Sequence, residues 1–121
     1  MKIKKIRIKS LKSILDDSVK KAEAIERGEK LKPVKKPEVY FTSFEALRKV
    51  LTPKRLELLH LIKAKKPSSI NELARMAGRD VKNIADDVKY LEQVGLIEKR
   101  ETARRTAPIV TYDKIAFEMA V

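Results

Sequence analysis

Ser69-Ile70-Asn71-Glu72-Leu73-Ala74-Arg75-Met76-Ala77-Gly78-Arg79-Asp80-Val81-Lys82-Asn83-Ile84 is the stretch that decides how this chain folds. Ser69 and Glu72 stand at capping-box spacing, where a hydroxyl accepts from the third amide and a carboxylate reaches back. Leu73, Ala74 and Ala77 follow at helical steps, so this helix lasts about two turns. Gly78 stops it, because glycine takes the left-handed backbone of a tight turn at no steric cost. Asp80 then caps a longer helix with Val81, Ile84, Ala85, Val88 and Leu91 on its core face, and Gly95 ends that one. A short helix crossing a longer one holds the second at the surface.

The flanks extend the pattern in both directions. Downstream, 96–101 (Leu96-Ile97-Glu98-Lys99-Arg100-Glu101) reads as a strand and 108–112 as a second, joined by the basic turn Ala103-Arg104-Arg105-Thr106. Ile115, Phe117, Met119 and Val121 alternate and predict a last strand. Upstream, Val39-Tyr40-Phe41 is a brief extended segment. Thr42-Ser43-Phe44-Glu45 has a capping-box spacing with Thr42 as cap, and opens a helix with Phe44, Leu47 and Leu51 on one face. Thr52-Pro53 starts a further helix to about Ala64. Its Leu56, Leu58, Leu59, Leu61 and Ile62 cover two faces, which predicts burial on both sides.

Residues 1–36 have another character. Ile3, Ile6 and Ile8 alternate with basic residues over 2–9 as a half-apolar strand. Ser10 caps a helix with one stripe of Leu11, Ile14, Leu15, Val19, Ala22 and Ile25, which Gly28 ends. The stretch 29–37, with Pro33, Pro37 and four lysines, reads as a linker. The expected organisation is therefore an N-terminal strand-helix extension over 1–36 and a second unit over 37–121. The expected fold class is α+β, mostly helical: a winged helix-turn-helix with that extension. An amphipathic helix beside an isolated strand needs a cover, so 1–36 are expected to dimerise, together with the strand 115–121; the rival expectation is a basic arm that binds nucleic acid directly or wraps a protein partner.

Composition narrows the function. At 121 residues the chain has room for one core and a modest appendage. The net charge is +12, with 13 Lys/Arg against 5 acids in 1–36 and 16 against 12 in 37–121. Such a balance attracts polyanions, chiefly nucleic acid. One Gln, two Asn and abundant Lys and Glu fit a thermophilic source. Without cysteine, thiolate metal sites and thiol nucleophiles are excluded. The lone His60, in a Leu-rich helix, predicts a structural or solvent-edge role. Asp16-Asp17 and Asp86-Asp87 are adjacent helical positions pointing about 100° apart, so neither pair faces one substrate. The expectation is a non-enzyme with no cofactor. No apolar run reaches the ~20 residues of a membrane span, and the N-terminus lacks the apolar stretch of a signal peptide, so a cytoplasmic protein is expected.

Residues 52–97, from Thr52-Pro53-Lys54-Arg55-Leu56 through Ser69–Ala74 to Val88-Lys89-Tyr90-Leu91-Glu92-Gln93-Val94-Gly95-Leu96-Ile97, resemble the winged-helix regulators of the MarR/ArsR type. More narrowly, 44–112 resemble a family of predicted archaeal and bacterial transcriptional regulators, with Arg79-Asp80-Val81-Lys82-Asn83 the most specific motif. Members of that family are often described as antitoxin-like partners of a neighbouring toxin. The resemblance implies sequence-specific repression by a homodimer on double-stranded DNA, and a recognition helix over 80–94. The rival expectation is a protein-interaction module that masks a toxin.

On that helix the outer face centres near Asp86 and Tyr90, flanked by Lys82 and Asn83, with Lys89 at one edge. Asn can pair with adenine and Lys can reach guanine or a phosphate. Arg79 stands just before the cap. In the wing, Lys99, Arg100, Arg104 and Arg105 would meet phosphates or a narrow minor groove. Asp86 is the discordant position, because a carboxylate there repels phosphate unless a cytosine amino group donates to it. Asp87, turned to one side, is expected to pair with a nearby Arg or Lys.

Overall fold

Side-chain caps set the helix boundaries in the computed structural model, which describes residues 1–30 and 39–121. The elements run β1 (Ile3–Ile8), α1 (Leu11–Glu26), β2 (Val39–Phe41), α2 (Phe44–Val50), α3 (Pro53–Lys65), α4 (Ile70–Ala77), α5 (Val81–Gln93), β3 (Glu98–Glu101), β4 (Thr106–Ile109) and β5 (Lys114–Met119). The chain is thus α+β, with five helices and two small sheets among the described residues. Most of the expected linker at 29–37 lies outside those residues.

The caps act as the sequence dictates, with one shift. Ser10, Thr52 and Ser69 hydroxyls accept from the amides of Ser13, Arg55 and Glu72, and Asp80 accepts from Lys82. At α2 the cap is Ser43, which accepts from Ala46 at 3.1 Å, and not Thr42. Thr42 lies one residue too early, because β2 runs to Phe41 and the turn out of the sheet takes Thr42. Helix α3 ends on Lys66, a non-glycine residue at φ 49° just before Pro67. Gly78 (φ 64°) ends α4 in the left-handed conformation expected.

Strand β1 is the centre of a three-stranded sheet of order β2-β1-β5, parallel throughout. Ile6 pairs with Val39 on one side and Phe117 on the other. The strand expected in an appendage therefore shares its sheet with the rest of the chain. Its inner face enters the common core: Ile6, Val39 and Phe41 pack with Leu47, Leu58, Ile62, Leu73, Ile84, Val88 and Leu91. Asp113 ties the start of this sheet, accepting from the Lys2 amide at 3.0 Å and from Lys63 at 3.2 Å. The backbone donor first, and then Lys63, hold its carboxyl below the usual carboxylate range.

Two expectations are corrected by the packing. Helix α3 buries Leu58, Leu59 and Ile62 but leaves Leu56 exposed, so it is not covered on both sides. The second hairpin strand comes earlier than 108–112, because Val110 and Tyr112 leave the hairpin to enter the core. Tyr112 donates to the Leu96 carbonyl at 2.9 Å, and burial pushes its phenol up to about 12.

Candidate functional site

Helix α5 and the β3–β4 hairpin are brought side by side. Lys89, Glu92 and Gln93 of α5 and Lys99 of β3 line one shallow cleft of about 320 Å³. The inner face of α5 buries Ile84, Val88 and Leu91, which turns Lys82, Asn83, Asp86 and Lys89 to the outside, where all four are exposed. Strand β3 pairs antiparallel with β4, Arg100 opposite Ala107, and all four β3 residues are exposed. Thr102 closes the tip: its amide donates to Arg105 O at 2.8 Å, and its hydroxyl accepts from the Arg105 amide at 3.2 Å. Arg100 and Arg104 project from this hairpin in an exposed position.

Three of the expected contact residues also have intramolecular partners. Arg79 donates to Asp87 Oδ2 at 2.9 Å. Lys99 pairs with Glu92 at 2.9 Å, which fastens the hairpin to α5. The Arg105 guanidinium donates to Ser68 at 3.2 Å, beside the start of α4. Of the nine positions expected to meet DNA, Lys82, Asn83, Asp86, Lys89, Lys99, Arg100, Arg104 and Arg105 are exposed, and Arg79 is half-buried; Arg79, Lys99 and Arg105 also brace the surface through their partners. Arg79 and Arg105 lie in the turns before α5 and β4 and Lys99 lies within β3, and each is within reach of an acceptor on a neighbouring segment.

The strongest brace is a cluster that sequence reasoning grasped only by its acid. Asp87, turned away from Asp86 by the helical step, accepts from Arg55 Nε at 3.1 Å and from Arg79 at 2.9 Å. Arg55 also donates to the carbonyls of Lys49 and Val50 at 3.1 and 3.0 Å, and lies 4.6 Å from the centre of the Tyr90 ring. Those carbonyls belong to the last turn of α2, where no intrahelical donor exists. One guanidinium therefore joins α2, α3 and α5, and Asp87 extends the link to the turn after α4. A signal for Arg55 existed. It is the third residue of α3, in the first turn, where the helix dipole disfavours a cation, so it needed a partner elsewhere.

Among the described residues no group of three His, Cys, Asp or Glu side chains could hold a metal ion. No helix there is long and apolar enough to cross a membrane. His60 is exposed and lines an apolar groove between α2, α3 and β5. What the α5–hairpin surface offers chemically is charge and hydrogen-bond donors on a firm frame.

No curated protein matches the chain. The HVO_A0114 family model matches residues 50–117, from the end of α2 into β5, which takes in the whole of the α5–hairpin surface. With more than half of its length matched, the chain belongs to the HVO_A0114 family.

Proposed function

We propose that this protein is a winged helix-turn-helix transcriptional regulator of the cytoplasm, a homodimer that binds double-stranded DNA and represses transcription. One observation carries the reading. The outer face of α5 is exposed beside a basic hairpin, while its inner face is fixed by the core and by the Arg55–Asp87–Arg79 cluster. Helix α4 and the Gly78 turn hold α5 at the surface as a groove-reading helix must be held. Lys82, Asn83 and Lys89 are the base and phosphate contacts of α5; Arg100 and Arg104 are the phosphate contacts of the hairpin.

Fluorescence anisotropy on a fragment of the gene's own promoter, over a salt series, tests it. Affinity should fall steeply as salt rises. Arg100→Glu with Arg104→Glu should weaken binding to every sequence. Asn83→Ala should lower discrimination at one base pair by ~1–3 kcal/mol. Unchanged binding in both variants refutes the assigned surface.

A second reading, a module that masks a toxin, is favoured by Asp86, an exposed carboxylate in the middle of the α5 outer face. It predicts that Asp86→Asn weakens capture of a neighbouring gene's product. The first reading predicts tighter DNA binding from the same change.

A further inference from the structure

Two apolar surfaces are left uncovered among the described residues. The first is the stripe of α1, a helix with no buried residue: Leu11 is 63% exposed, Leu15 56%, Val19 55% and Ile25 59%. The second is an open groove of about 450 Å³ between α2, α3 and β5, walled by Phe44, Leu51, Leu56, Leu59, Val110 and Phe117.

The chain's own sheet does not bury the stripe. Lys9 pairs with Asp17 of α1 and lies over the Tyr40 ring, which sets the helix on the side of Lys5, Arg7, Tyr40 and Glu118. That face carries the Lys5–Glu118 and Arg7–Glu118 ion pairs, and its own apolar side chains Ile3 and Tyr40 stay exposed, at 54% and 47%, so they do not bury the stripe. The opposite face is already packed on the helices through Ile6, Val39 and Phe41. The root of α1 is fixed as well, because the Lys9 amide donates to the Phe41 carbonyl at 2.9 Å. Among the described residues nothing covers the stripe of α1.

Charge points to a second copy. Within a protein of net charge +12, α1 is acidic, with Asp16, Asp17, Glu23 and Glu26 against Lys12, Lys20 and Lys21. The groove lining is basic, with Arg48, Lys63 and Lys114 against Asp113. An amphipathic helix entering an apolar groove is a common docking mode. Since helix and groove belong to one chain, two copies can satisfy both surfaces at once by reciprocal exchange about a twofold axis. We propose that α1 of each copy docks, stripe inward, in the α2–α3–β5 groove of the other. This rests on the dimer in the reading above and not on its DNA binding.

The absence of cysteine makes the test clean. Single variants Leu15→Cys and Phe117→Cys, both at exposed positions, are mixed without DNA and treated with a short bismaleimide. The expected result is a covalent dimer in the mixture, well above either variant alone. In parallel, Leu15→Glu should raise the dimer dissociation constant by roughly tenfold or more, as for a buried interface anchor. Light scattering reads the mass, and an unchanged circular dichroism spectrum establishes folding. A monomeric wild type overturns the proposal, leaving the surfaces to another protein. Cross-linking by Leu15→Cys alone or Phe117→Cys alone, in place of the mixture, also overturns it, since helix–helix or strand–strand pairing would then form the dimer. Loss of DNA binding with the cross-link intact would reject only the function reading.

Discussion

Asp86 and Asp87 are neighbours of identical chemistry, yet the structure assigns them opposite weights. Asp87 accepts from two arginines, and the three side chains are 15%, 20% and 23% exposed for Asp87, Arg55 and Arg79. The perturbation is Asp87→Asn, which keeps the shape but removes the charge and turns one acceptor into a donor facing a guanidinium. Arg55 would keep the Lys49 and Val50 carbonyls and its stack on Tyr90. Arg79 would fare worse, because its buried Nη1 has no hydrogen-bond partner already. Breaking a fully buried pair costs ~3–5 kcal/mol, and an exposed one under ~1 kcal/mol. Side chains about one-fifth exposed, with one arginine partly compensated, place the loss at ~2–3 kcal/mol. For a domain of this size that lowers Tm by roughly 8–12 °C. Asp86→Asn, at an exposed site, should stay within ~0.5 kcal/mol. Thermal and urea unfolding at neutral pH measure both. Equal effects in the two variants, or an Asp87→Asn protein as stable as the wild type, would refute the account of the cluster.

Three other perturbations read separate features. Gly95→Ala should destabilise by ~1–3 kcal/mol in urea unfolding, since φ is 91° and an added Cβ would meet Val39 Cγ2 at 3.1 Å. Lys66→Gly should stabilise by about 0.5–1 kcal/mol in the same assay, by relieving the one left-handed non-glycine residue among those described. Tyr112 is neutral in the fold with its phenol raised from 10.0 to about 12, so its contribution is complete below pH 10 and lost as pH rises from 10 towards 12. A spectrophotometric titration should contain one tyrosine centred near 12 that Tyr112→Phe abolishes. That variant should also lose ~1–2 kcal/mol, because the Leu96 carbonyl is left without its donor.

The local structure was legible because local chemistry determines it. Ser69, Gly78 and Asp80 set the ends of α4 and the start of α5 by hydrogen bonds within three residues and by one backbone conformation. The outer face of α5 followed from periodicity: with Ile84, Val88 and Leu91 inward, Asp86 had to point out. The same geometry correctly sent Asp87 towards a basic partner. The hairpin was less exact, because Val110 and Tyr112 fit a strand and a core equally well by pattern. Only the packing of Tyr112 on the Leu96 carbonyl decides between them.

What stayed hidden is long-range. Arg79, Lys99 and Arg105 are as cationic as Lys82 and Arg104 in sequence; Asp87, Glu92 and Ser68 separate bracing from display. The place of β1 was hidden more deeply. Its pairings reach Val39 and residues more than a hundred positions away, and parallel neighbours leave no turn between them for a sequence to announce. Alternating Ile3, Ile6 and Ile8 predicts a strand, but not that it becomes the centre of a sheet. That placement changes what the N-terminal region can do. A strand locked between β2 and β5 cannot act as a loose basic arm, and the Lys9 amide, just before α1, is tied to the Phe41 carbonyl of that sheet. The apolar stripe of α1 is already helical before any partner arrives, which reduces the ordering cost of docking. A partner that needs this stripe finds its helix preformed.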